Sequence, residues 1–294
     1  MSTSDSAMAT FLKDSVNLPQ SALDALETHV NGLWTALTTG DRLPDLPLDW
    51  HQQGSWAYST IIRPLPGREF DADVVLEFGD LGIEPREYLL RIKHALDDHS
   101  TYAGKATLKT RCIRVQYAGE HHVDLVPMTT VNGQNHIVNR RDNVFERAEP
   151  VGYVEWFNER DAWSGGQLHK VVRLIKYLRD YKGTHATKSV ILTTLLGNKV
   201  RQGDEFPTTI AALKELSTRL ANYLSVHSNK PPLPDPSCPT QTFDHRWDQQ
   251  QFDTLKRVMS SLAIRVALAA DETVPSVATA RWRDLFGDDF PTIT

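Results

Sequence analysis

The sequence predicts an α/β fold in three parts: a leading helix, a core built on a mixed sheet, and a mostly helical second half. Three observations predict it. A helix-period pattern fills residues 21–39, short apolar runs of strand character interrupted by carboxylates fill about 50–130, and long amphipathic patterns follow residue 150. The expected boundaries are 1–40, 41–150 and 151–294. A chain of 294 residues, 40% hydrophobic and 23% charged, is long enough for one large or two modest globular domains.

In the first part, Leu23, Leu26, Val30, Leu33, Trp34 and Leu37 recur at three- and four-residue steps. Ser21 with Asp24 reads as a capping box and Gly40 as the stop. The proline-broken DRLPDLPLDW (41–50) connects to the second part. There the strand candidates are Asp73–Phe78, Lys109–Tyr117 and His122–Pro127, with a helix over Pro85–Asp97. In the third part GGQLHKVVRLIKYLRDYKG (165–183) places Leu168, Val171, Val172, Ile175 and Leu178 on one side of a helix. KSVILTTLLG (188–197), TTIAALKELSTRLANYLSVH (208–227) and DQQQFDTLKRVMSSLAIRVALAAD (248–271) read as further helices. SNKPPLPDPSCPTQTF (228–243) is too rich in proline to be helical. Trp156, Trp247 and Trp282 are expected in the core.

A net charge of −5 argues against general nucleic-acid binding, which rests on a broad cationic surface. Cys112 and Cys238 are two isolated cysteines, too few for a zinc knuckle and expected to be reduced. No apolar run approaches the ~20 residues of a membrane-spanning helix, and MSTSDSAMAT lacks the features of a secretory signal. A cytoplasmic protein that does not enter membranes is the expectation.

The chemistry concentrates in GSWAYSTIIRPLPGREFDADVVLEF (54–78). In a strand, residues i and i+2 share a face, so Asp71 and Asp73 project together while Ala72 and Val74 point away. A third acid, Asp124, lies between Val123 and Leu125 in HHVDLVPM. An unpaired buried carboxylate is costly, and like charges about 4 Å apart repel by roughly several kcal/mol per pair. A divalent cation makes such a cluster reasonable: Mg²⁺ prefers carboxylate oxygens plus substrate phosphates, and two ions ~4 Å apart suit an in-line displacement at phosphorus. Gly54 permits close backbone approach to a phosphate and Ser55 offers two donors. Each piece alone is weak, since a lone Gly-Ser says little and a lone Asp-x-Asp is usually a turn or a solvated strand end. The ordered set is a phosphoryl-transfer constellation.

GSWAYSTIIRPLPGREFDADVVLEF together with VDLVPM resembles the polymerase-β-like nucleotidyltransferases, and more narrowly the CD-NTases, bacterial relatives of cyclic GMP–AMP synthase in anti-phage (CBASS) signalling. LPQSALDALETHVNGLW resembles their N-terminal spine helix, AEPVGYVEWFNER (148–160) their segment after the core, LIKYLRDYKG and TKSVILTTLLG their lobe-bridging helices, and ARWRDLFGDDFP their C-terminal ending. The resemblance covers nearly the whole chain. It implies a nucleotidyltransferase core with a helical lobe, an active site in the cleft between them, and synthesis of a cyclic di- or trinucleotide from NTPs, ATP and/or GTP, with loss of pyrophosphate. It implies that Asp71, Asp73 and Asp124 carry two Mg²⁺ ions, with Mn²⁺ as a substitute. Gly54 and Ser55 would hold the donor's β/γ-phosphates, Gln53 would touch the donor nucleotide, and Lys176 and Ser189 would grip the triphosphate tail. The product would act on a separate effector protein, with accessory proteins as partners. With no Cys/His cluster of zinc-ligand spacing and an acidic chain, no DNA activator is expected.

Simpler readings stand beside these. Lys176 could be a solvated lysine on the polar side of its helix, Ser189 a helix-start residue and Gln53 a surface residue. His121 and His122 face opposite sides of a strand, so neither pairs with the other around one ion; both read as structural or solvent-facing. Arg140 and Arg141 read as a solvated basic pair. At the level of activity, linear 2′-5′ oligonucleotide synthesis, transfer of one nucleotide to RNA or protein, and an inactive nucleotide-binding scaffold are the alternatives.

Overall fold

The computed structural model describes residues 3–39, 43, 45, 47–118, 121–183 and 185–294. In chain order the elements are α1 (Thr3–Phe11), a π-helical turn (Leu12–Val16), α2 (Gln20–Thr38), β1 (Asp49–Gln53), α3 (Gly54–Ala57), β2 (Phe70–Phe78), α4 (Pro85–Asp97), β3 (Ala106–Leu108) and β4 (Ile113–Tyr117). They continue with β5 (His121–Val131), β6 (Gln134–Asn139), β7 (Val144–Arg147), α5 (Pro150–Trp163), α6 (Leu168–Lys182), α7 (Ser189–Gly197), α8 (Thr209–Ser225), a 3₁₀ turn (Asp244–Arg246), α9 (Gln249–Ala270) and α10 (Pro275–Phe286). Two compact units result. One comprises Leu18–Ser59 and Pro66–Val154; the other comprises Met1–Asn17, Thr60–Leu65 and Glu155–Thr294.

The first unit is built on a mixed sheet of order β1-β2-β5-β4-β3, extended by β6 beside β5 and β7 beside β6. β2 and β5 run parallel, and the other pairings are antiparallel. A parallel pair requires a long crossover, supplied by the segment holding α4, β3 and β4. On one side of β2 Phe70, Ala72, Val74, Leu76 and Phe78 are buried; on the other Asp71 is exposed, Asp73 and Glu77 are half-buried and Val75 is buried. α4 buries Tyr88, Leu89, Ile92, Ala95 and Leu96 and packs on β3, β4, β6, β7 and α2.

Of the expected strand Lys109–Tyr117 only Ile113–Tyr117 is extended, as β4; the residues before it form a turn that follows β3. The Lys109 amide donates to the Cys112 carbonyl (2.9 Å), closing a tight turn between β3 and β4 that contains neither glycine nor proline to announce it. The capping box at Ser21 is absent. α2 starts one residue earlier, behind Pro19, and Gln20 Nε2 donates instead to Asp24 Oδ1 (2.8 Å). Gly40 lies outside the described residues.

The second unit is helical. Its core collects aromatic rings from distant segments: Phe11 meets Tyr177 edge-on (centroids 5.3 Å apart) and tilts on Phe286 and Phe290, while Trp282 stacks on both. α9 opens with a complete Asp248–Gln251 capping box. Trp247 and Trp282 are buried as expected. Trp156 is only half-buried; its ring lies over Gly197, where an added Cβ would come within 2.5 Å of Cη2. Among the described residues no helix is long and apolar enough to cross a membrane.

Candidate active site

Register assembles the site. In the parallel β2–β5 pair Asp73 lies opposite Asp124, and in the antiparallel β4–β5 pair Asp124 lies opposite Arg114. Gln53 pairs with Asp73 from the other edge. One row therefore crosses four strands: Gln53, Asp73, Asp124, Arg114. A second row, two residues along, sets Asp71 opposite His122 and His122 opposite Gln116. All lie on one face, because residues directly opposite in a sheet share a side.

Asp124 is buried and Asp73 half-buried, whereas Asp71 is exposed rather than buried. The Asp73 carboxyl is pushed up to about 7, first by burial, then by the negative charges of Asp71 and Asp124, with Arg114 opposing. Two carboxylates and low solvation thus make Asp73 a site where positive charge is wanted. Arg114 already supplies some: Nε and Nη2 donate to the two oxygens of Asp124 at 2.8 and 2.7 Å, a bidentate pair that raises the guanidinium above its ordinary value. The Cys112 thiol on the same edge is pushed up to about 12 by burial and by neighbouring Asp124, which keeps it protonated. Among the described residues no group of three or more His, Cys, Asp and Glu side chains stands arranged to hold a metal ion, with both Asp124 oxygens committed to Arg114. The hard oxygen donors and their unrelieved charge nevertheless match a Mg²⁺-type ion in chemistry.

Gly54 explains itself. It has φ +61°, and a Cβ there would stand 2.3 Å from Asp73 Oδ2. The backbone turns against the aspartate with no room for any side chain. Ser55 follows in α3, whose Trp56 is buried and stacks on Trp50 of β1 (centroids 6.1 Å), anchoring the turn.

Six of the eight expected residues, Gln53, Gly54, Ser55, Asp71, Asp73 and Asp124, thus gather on one sheet face and its edge turn. Lys176 and Ser189 belong to the helical unit. Lys176 is not a solvated lysine: it is buried, and its Nζ donates to the Thr60 carbonyl (2.7 Å). Ser189 is the first residue of α7, and its Oγ accepts from Arg179 Nη1 (3.3 Å) without capping the helix. His121 is buried, with His29 Nδ1 2.9 Å from its Nε2. Arg114 and Gln116 went unremarked in the sequence. The alternation of buried Ile113 and Val115 with polar Arg114 and Gln116 was the available signal.

Solved structures share this architecture. The E. coli MS115-1 CdnC structure with ATP aligns over 98% of this chain and 99% of its own, with TM-score 0.78 and 20% identity. A second structure of that protein is a CdnC:HORMA-deltaN complex. The Bradyrhizobium diazoefficiens CD-NTase CdnG in complex with GTP aligns over 97% of this chain and 95% of its own, with TM-score 0.76 and 20% identity. At such identities the likeness is one of fold. The chain belongs to the Second Messenger Oligonucleotide or Dinucleotide Synthetase domain family, whose profile matches residues 1–161. A curated relative, the c-di-GMP synthase of Roseivirga ehrenbergii, is 26% identical over 233 residues, covering 68% of this chain and 61% of the relative's length. The chain thus spans about three-fifths of that relative.

Proposed function

We propose that the protein is a metal-dependent nucleotidyltransferase that joins nucleoside triphosphates into a cyclic di- or trinucleotide, releasing pyrophosphate. The observation that carries this reading is the Asp73–Asp124 pairing across β2 and β5, with Asp71 beside it and Gly54 packed against Asp73 without space for a side chain. The family and the synthase named among its relatives support it.

Asp71, Asp73 and Asp124 are the residues that would hold Mg²⁺, or Mn²⁺ in its place; when bound, two such ions polarise the reacting phosphate and neutralise its leaving oxygens. Arg114 holds the Asp124 carboxylate in place through its two hydrogen bonds. Asp124 then takes the proton from a ribose hydroxyl, whose oxygen bonds the α-phosphorus of the second nucleotide. The bond to the bridging oxygen breaks, and its electron pair leaves with pyrophosphate. The Gly54 backbone and Ser55 hold the donor's β/γ-phosphates, and Gln53, one residue earlier, touches the donor nucleotide. Lys176 and Ser189 are the residues that the family resemblance offers for gripping the triphosphate tail. A second transfer at the same face closes the ring. A cytoplasmic setting, anti-phage signalling through a separate effector, and regulation by accessory proteins rather than DNA complete the reading; the HORMA complex of CdnC is the precedent for such a partner.

The test is incubation with all four labelled NTPs and Mg²⁺ or Mn²⁺, followed by phosphatase and mass spectrometry. A phosphatase-resistant product with the mass of two or three linked nucleotides is expected. Linear, phosphatase-sensitive chains or label on protein or RNA would replace cyclisation by the linear or single-transfer reaction.

A further inference from the structure

The second row of the sheet face, beside the catalytic aspartates, carries polar groups that the proposed transfer does not use. Gln116 of β4 lies opposite His122 of β5, which lies opposite Asp71 of β2. Glu69, just before β2, reaches over this row: Gln116 Nε2 donates to both of its carboxylate oxygens, at 3.0 and 2.9 Å. Glu69 is exposed. His122 is mostly buried, its side chain 13% exposed, with Nδ1 3.5 Å from Glu69 Oε2. That is too long for a hydrogen bond, and among the described residues neither ring nitrogen of His122 has a hydrogen-bond partner. The row therefore offers an ionised carboxylate with both oxygens turned to one N–H group, an amide beside it, and an imidazole with capacity to spare.

We infer that this row reads the base of the acceptor nucleotide and that it selects guanine. The Watson–Crick edge of guanine presents N1–H and the N2 amino group side by side, two donors matching the two oxygens of one carboxylate. The Gln116 amino group, bridging those oxygens, stands in for them. The third group on that edge, O6, is an acceptor, and the released Gln116 amide and the His122 ring are the donors in reach. Adenine would turn its N1 lone pair toward Glu69, setting acceptor against acceptor, so the same carboxylate that attracts guanine repels its competitor. Two residues of strand, about 7 Å, separate this row from Asp73 and Asp124, comparable with the reach from a ribose hydroxyl to the outer edge of its base. Arg114, the β4 member of the first row, brings a positive charge beside the second.

This inference rests on the nucleotidyl-transfer reading, and its test separates the two. The probes are GMP and AMP, which lack the β/γ-phosphates assigned to Gly54 and Ser55 and so report on the acceptor position. Calorimetric titration into the wild-type chain should show GMP preferred over AMP by about 10- to 100-fold, the discrimination one bidentate pair provides. Glu69→Gln should erase that preference; Gln116→Ala should reduce it about threefold to tenfold, within the range of one neutral hydrogen bond. Glu69 is exposed, so Glu69→Gln should melt where the wild type melts. In the four-NTP reaction, guanine should occupy the acceptor position, and Glu69→Gln should raise the KM for GTP with little change in kcat. Equal binding of the two probes, preference for AMP, or an unchanged GMP preference in Glu69→Gln would overturn the inference, whether or not a cyclic product forms. A GMP preference that depends on Glu69, in a chain that makes no nucleotide product, would keep the guanine site and reject the transferase reading.

Discussion

In the helical unit Asp204 receives hydrogen bonds from Arg219 Nη1 and Nη2 at 2.7 and 3.0 Å, and His169 meets Asp161 with both its backbone amide and its ring. Burial pushes both carboxyls up, but these hydrogen bonds outweigh it, and both lie below the ordinary range. In the sheet unit Asp73 faces Asp71 and Asp124 and is driven the other way, to about 7. The same side chain is thus handled in two ways within one molecule. Asp204 and Asp161 each have a dedicated donor, as Asp124 has in Arg114; Asp73 is crowded with its own kind and has none of comparable strength among the described residues, the arrangement expected where a ligand is to supply the compensation.

The strongest way to break this comparison is Asp73→Asn. Nucleotidyl transfer, followed as pyrophosphate release, should fall about 10³-fold, while the melting temperature without metal holds or rises because a repulsion is removed. A large loss of stability would show Asp73 to be a fold residue after all. Asp204→Ala should do the reverse, costing about 1–2 kcal/mol of unfolding free energy in urea by removing two charge-assisted hydrogen bonds, while Arg219 keeps Glu215 and the Lys199 carbonyl. Because the folded carboxyl of Asp204 is depressed, its contribution is present above the ordinary carboxylate value of about 4 and lost as pH falls through the folded value, so wild type and variant should converge in acid. Gly54→Ala sets a methyl group against Asp73 at positive φ and should cost about 1–3 kcal/mol, with activity lost alongside; a calorimetric melt and a rate measurement read both. Arg114→Ala should cost about 1 kcal/mol in the metal-free protein while making the melting temperature respond more steeply to added Mg²⁺. The last prediction concerns His185, half-buried and pushed down to about 4 by burial and then by Arg179. A neutral histidine contributes fully above its unfolded value of about 6.5, and that contribution fades as pH falls toward 4. Between pH 7 and 5 the wild type should therefore lose more of its melting temperature than His185→Gln.

The sequence was most readable where one local rule decides. Pro85–Asp97 is predicted and found with the same ends, and the long helices α8 and α9 follow their apolar period. Asp71 and Asp73 could be assigned a common face from alternation alone. The pairing of Asp73 with Asp124 could not, because a strand pattern carries no record of its neighbour or of their register. Arg114 stayed hidden for the same reason: a polar residue between buried Ile113 and Val115 reads as a solvated position until β4 is laid beside β5. α1 and α10 lack a strong apolar period and passed unnoticed, although Phe11 and Trp282 are in the aromatic core. Lys176 reversed its simplest reading because the carbonyl that receives it, Thr60, lies far away in the chain.

The parallel β2–β5 pair also has a history in time. Its strands meet only after α4, β3 and β4 have been laid down between them, and contacts so distant in sequence close late, after the local helices and hairpins. Asp124 should therefore join Asp71 and Asp73, already side by side on β2, only once the surrounding structure can hold all three together. A cation that binds only the closed arrangement acts after the rate-limiting step. In stopped-flow refolding, Mg²⁺ should leave the folding limb almost untouched and slow the unfolding limb, so that an ion bound by the three aspartates would also act as a latch on the finished sheet.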